Sequence, residues 1–82
     1  MLSNNIMRKL PKDLMSAKDI AKKLRLSYQS VNYYTNIGLF RVCANRGNKR
    51  LYSYHQIASN LSKIRELKRK GYSLRVIRNE LL

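Results

Sequence analysis

The chain has 82 residues, 44% of them apolar, and carries 18 Lys and Arg against four acids, a formal net charge of +14. A chain this short buries only about 60% of its unfolded surface, which leaves room for one small domain and excludes a second. No apolar run approaches the ~20 residues of a membrane span, Met1 to Leu10 has no signal-type apolar stretch, and the lone Cys43 excludes an internal disulfide and points to a reducing, cytoplasmic setting.

Like charge at this density repels itself, so a polyanionic partner is expected. Nucleic acid leads, ahead of an anionic membrane surface or a ribosomal site.

Residues 1–14 are polar and basic and read as a flexible N-terminal arm. Ile6, Met7 and Leu10 have helical spacing, which would allow a short helix before Pro11, the only proline. Ser16-Ala17-Lys18-Asp19 then opens a helix, with Ser16 as its cap and Asp19 near the positive end of the dipole. Ile20, Ala21 and Leu24 share one face. Ser27 caps a second helix, in which Val31 and Tyr34 continue an apolar stripe to Ile37, and Gly38 ends it in the left-handed conformation. Two short capped helices joined at Arg25-Leu26 make a helix-turn-helix.

The period then changes. Leu39 to Cys43 is expected to form a short strand, Asn45-Arg46-Gly47-Asn48 a turn, and Arg50 to Tyr52 the return strand. This is a hairpin with a basic tip. Ser53 to Gln56 has the capping-box pattern that opens a longer third helix, with Ile57, Leu61, Ile64 and Leu67 on its core face and Lys68-Arg69-Lys70 in its last turn before Gly71. Ser73 caps a fourth helix bearing Leu74, Ile77 and Leu81. The expected fold is mainly α: a winged helix-turn-helix over residues 15–82, four helices with a short two-stranded β-hairpin wing between helices 2 and 3.

Functional candidates follow from that layout. With Val31 and Tyr34 inward, Tyr28, Gln29, Asn32 and Tyr33 point outward from the second helix, and Ser30 lies at the margin. Gln and Asn can pair with the adenine edge, Ser tolerates either strand, and Tyr suits phosphate or a thymine methyl. Tyr28, Gln29, Ser30 and Asn32 are therefore the base-reading candidates. On the hairpin, Arg41, Arg46, Lys49 and Arg50, with Tyr52 just behind, can follow phosphates or enter a minor groove. Cations on an edge strand also guard against aggregation. Lys68 and Arg69 add phosphate attraction, although the helix dipole alone favours cations there. Cys43 is expected in the core of the first wing strand, and His55 on the surface of the third helix. One Cys and one His cannot form a closed metal site. Four scattered acids and no Gly-rich phosphate loop argue against an enzyme or a bound cofactor.

Three segments together resemble the MerR family of bacterial transcription regulators. Ser27-Tyr28-Gln29-Ser30-Val31-Asn32-Tyr33-Tyr34-Thr35-Asn36-Ile37-Gly38-Leu39-Phe40 is similar to its recognition helix with paired tyrosines and Ile-Gly-Leu. Arg50-Leu51-Tyr52-Ser53 resembles its wing ending, and Ile64 to Leu74 its third-helix end with a Gly-aromatic-Ser turn. The resemblance implies that helix 2 reads the major groove of promoter or operator DNA. It implies backbone or minor-groove contacts from the wing and from the turn between helices 3 and 4. Matched by position, Tyr33, Arg50, Tyr52 and Lys68 carry over as backbone contacts. The family often has Arg in place of Gln29 and Asn32 and an acid in place of Thr35, so its target sequence does not transfer.

Family members usually continue into a dimerising coiled coil and an effector domain, beyond the length of this chain. The expectation is a dimer in a full-length parent, if one exists, a monomer off DNA for this chain, and RNA polymerase or an antirepressor as protein partners. Two other readings compete: an excisionase-type architectural factor that bends DNA, and a module that docks a protein.

Overall fold

The computed structural model describes residues 10–81. Its elements run β1 (Leu14–Ser16), α1 (Ala17–Leu24), α2 (Tyr28–Asn36), β2 (Ala44–Arg46), β3 (Lys49–Ser53), α3 (Tyr54–Arg69) and α4 (Leu74–Leu81). The short helix considered before Pro11 and most of the expected arm lie outside the described residues.

Each of the first three helices starts at a serine that accepts from the amide three residues on: Ser16 from Asp19, Ser27 from Ser30, and Ser53 from Gln56. These bonds satisfy amides that have no partner within the helix. Arg25 takes the left-handed conformation, φ 57°, at the end of α1. This bend turns the chain directly into the Ser27 cap. Gly38, φ +87°, does the same after α2, and the Leu39 and Phe40 amides close onto the Tyr34 carbonyl.

The core is a single cluster in which Ile20, Val31, Tyr52, Ile57, Ile64 and Ile77 are fully buried, with Leu39 and Phe40 beside them. Every helix and β3 contributes to it. Burial of this kind, at about 25 cal/mol per Å² of apolar surface, is what holds so short a chain together. Tyr34 packs edge-on to Phe40 with ring centroids 5.1 Å apart and anchors α2 to the segment that follows.

The wing lies between α2 and α3, as expected, but its first strand is displaced. Leu39 and Phe40 form a buried loop, and pairing begins only at Ala44, with Ala44 opposite Leu51 and Arg46 opposite Lys49. Gly47 and Asn48 alone make the turn. The apolar run from Leu39 fills the core rather than a ladder, a distinction periodicity cannot make over five residues. Cys43 is likewise corrected: it is exposed. Leu39, Phe40 and Val42 face the core while Arg41 and Cys43 face out, and the Cys43 amide bonds to the Leu51 carbonyl at 2.8 Å.

A third strand, unanticipated, completes the sheet in the order β1-β3-β2. Leu14 pairs with Ser53 and Ser16 with Leu51, so β3 is central and bonded on both edges. Just before β1, the Asp13 carboxylate accepts from the His55 amide at 2.7 Å and from the Ser53 hydroxyl. The Asp13 carbonyl accepts from the Tyr54 amide. A residue forty positions away thus caps α3 beside its own serine. The Gln56 side chain does not return to Ser53 as a capping box would have it; it donates to Asn60.

Candidate nucleic-acid interface

Helix α2 advances about 100° per residue, which sets Val31, Tyr34 and Thr35 toward the core and the remaining side chains outward. Gln29 and Asn36 occupy the middle of the outward face, both exposed. Tyr28 and Tyr33, 46% and 52% exposed, stand on its two flanks. Ser30 is half-buried, and its hydroxyl accepts from Ser27 at 2.9 Å.

On the Tyr28 flank stands the wing. Arg50 and Tyr52, two apart in β3, share one sheet face. Tyr52 enters the core while the Arg50 guanidinium sits 5.8 Å over its ring and donates to the side-chain carbonyl of Asn32. The α2 asparagine and the β3 arginine are therefore one unit. Lys49 and Arg50 also join Tyr28 and the start of α1 (Ser16, Ala17, Lys18) in lining a cleft of about 180 Å³. Arg46 stands exposed at the hairpin tip, opposite Lys49.

Tyr52 departs from its expected role as a phosphate contact. It is 0% exposed, and its hydroxyl lies 2.9 Å from Thr35 Oγ1. Thr35 commits its one proton to the Val31 carbonyl at 2.7 Å, so Tyr52 is the donor. Its ring and hydroxyl hold β3 against α2.

On the other flank, Tyr33 and Asn36 face α4 across an open cleft of about 520 Å³, lined also by Arg75 and Arg78. Sequence reasoning missed these two arginines, although their spacing of three sets them side by side next to the Leu74-Ile77-Leu81 stripe. Arg69, by contrast, lines a separate cleft between α3 and α1 with Leu24, Arg65 and Glu66, away from α2. Lys68 is exposed in the last turn of α3. Arg41 lies with Pro11 and Gln56 in another cleft, also apart from the outward face of α2. His55 is on the surface.

Among the described residues the one ion pair joins Lys70 and Glu66, so the cations around α2 have no carboxylate partner there. Also among the described residues, no three metal-ligating side chains come together, and no helix is long and apolar enough to cross a membrane.

A family model described as MerR HTH family regulatory protein matches residues 15–82. No curated protein and no solved structure gives a match to the chain.

Proposed function

The chain belongs to the MerR family of helix-turn-helix regulatory proteins, a DNA-binding kind of transcription regulator, and on that premise we propose that α2 enters the major groove and reads sequence. Gln29, at the centre of the exposed face, is the chief base reader, with Asn32 beside it held in orientation by Arg50. Both residue types can pair with the adenine edge. Tyr28 and Ser30 border the read bases. Tyr33, Arg46, Lys49 and Arg50 contact the backbone, with the wing tip following phosphates or a minor groove, and Lys68 adds a contact from the α3–α4 turn. Tyr52 acts from the core, by holding the wing in register with α2. Arg69 contributes at most to the general field of a chain with net charge +14.

The observation that carries this reading is the hydrogen bond between Asn32 on α2 and Arg50 on the wing. It joins a side chain suited to bases to one suited to phosphate in a single unit.

Selection of bound duplexes from a random DNA pool at physiological salt, with structured RNA as competitor, tests the proposal. A recovered motif is the expected result, and its repeat arrangement reports symmetric or tandem assembly. Binding that fades with salt and enriches no sequence would overturn base reading. It would favour an architectural role, or docking to RNA polymerase or an antirepressor. Displacement by the RNA would overturn duplex DNA as the ligand.

A further inference from the structure

The wing brackets only one flank of the recognition helix. Tyr28 and Tyr33 are five residues apart and so point about 140° away from each other around α2. The first borders the cleft with Lys49 and Arg50; the second borders the cleft with Arg75 and Arg78 of α4. A helix lying in a major groove has a phosphate backbone on each side, and cations line both of these clefts: Lys18, Lys49 and Arg50 on one flank, Arg75 and Arg78 on the other.

We propose that the cleft between α2 and α4 is a second DNA-phosphate site, in which Arg75 and Arg78 hold the backbone on the side opposite the wing, with Tyr33 and Asn36 as hydrogen-bonding neighbours. This inference rests on the DNA-reading proposal above and adds to it a site on α4 itself, past the α3–α4 turn.

Three features leave this pair available to a phosphate and place it beside α2. Neither guanidinium has a hydrogen-bond partner or a carboxylate among the described residues, where the one ion pair is Lys70 with Glu66. The cleft, about 520 Å³, is wide enough to admit a phosphate and opens beside an exposed tyrosine of the recognition helix. Arg78 is also placed by the fold: its Nε would lie 3.1 Å from a Cβ at Gly38. The glycine that ends α2 thus leaves room for the arginine to lie against that turn. Arginine suits this task because its planar fork matches two phosphate oxygens.

The test compares the salt dependence of duplex binding for the parent protein, Arg75→Gln/Arg78→Gln, Arg75→Lys/Arg78→Lys, and Lys49→Gln on the wing. Each lost phosphate contact lowers the slope of log K against log salt by about 0.9, so the double Gln variant should fall by about 1.8 and the Lys variant should keep most of the parent slope. Melting curves establish that each variant is folded. Because Arg78 packs against Gly38, the single Arg75→Gln change, on an exposed side chain, decides the matter if the double variant does not fold; its expected fall is about 0.9. A folded Arg75→Gln protein with the parent slope, while Lys49→Gln lowers it, overturns the α4 site and leaves the wing reading standing. If the parent itself shows no salt-dependent duplex binding, the DNA-reading proposal fails and the α4 site with it.

Discussion

Arg50 on β3 donates a hydrogen bond to the side-chain carbonyl of Asn32 on α2, so β3 and α2 are coupled through side chains as well as through the core. The guanidinium also lies 5.8 Å over the Tyr52 ring, a second contact that orients it. Each residue therefore positions the other. Asn32→Ala and Arg50→Ala should be non-additive in DNA affinity, with an interaction of about 0.5–3 kcal/mol in a double-mutant cycle. Dissociation constants of the four proteins on one selected duplex measure it. Strictly additive losses would mean that each side chain meets DNA independently.

Tyr52 leads to a prediction that separates stability from binding. Removing its hydroxyl takes away the donor to Thr35 but leaves Thr35 bonded to the Val31 carbonyl. Tyr52→Phe should lower unfolding free energy by about 0.5–1.5 kcal/mol and leave the salt slope of duplex binding unchanged. Tyr52→Ala, which empties a fully buried ring position, should cost about 3–5 kcal/mol. A reduced salt slope in a folded Tyr52→Phe protein would return the hydroxyl to the DNA backbone.

The helices, their serine caps and the order helix, helix, hairpin, helix, helix are legible in the sequence because each rests on local signals: a cap, a 3.6-residue stripe, a glycine stop. The features that escaped are non-local. Strand β1 spans three residues and has too few positions to show alternation; only its pairing with β3 defines it. Tyr52 lies two residues from Arg50 in the wing, and its hydroxyl suits phosphate as well as the core. The partner that decides its place, Thr35, is 17 residues away. The outward face of α2 was readable from the wheel, but the arginines that flank it belong to α4, brought there by the packing of Ile77 into the core.

Asp13 is the clearest of these long-range features, and its bonds at the start of α3 predict a stability that depends on acid. Its carboxyl is held below the ordinary 3.8, first by the His55 amide, against an opposing effect of burial, and then by the Ser53 hydroxyl. A folded-state pKa below the unfolded one means that the carboxylate stabilises the fold above the unfolded value. That contribution is lost as pH falls through the folded value. Asp13→Asn should therefore lower the melting temperature at neutral pH, and the gap to the parent should close as the pH is taken below the carboxylate range. Thermal melts of the two proteins across an acid series check this. A gap independent of pH would assign the effect to the geometry of the cap rather than to its charge.

The two left-handed turns that bound α2 predict opposite responses to opposite substitutions. Arg25, φ 57°, is the one non-glycine residue with positive φ among the described residues, and its side chain is exposed. A side chain in this conformation costs roughly 1–2 kcal/mol, which glycine removes while adding some unfolded-state entropy. Arg25→Gly should stabilise the domain by about 1 kcal/mol or slightly less. Gly38, φ +87°, lies at the other end of α2, and a Cβ there would crowd Arg78 at 3.1 Å. Gly38→Ala should destabilise by about 1–2 kcal/mol, and by pushing Arg78 aside it should also weaken duplex binding if the α4 cleft holds a phosphate. Urea unfolding gives the stabilities of both variants from their midpoints at constant slope. A neutral Gly38→Ala change in both stability and affinity would show that the turn relaxes and that Arg78 has room to move without consequence.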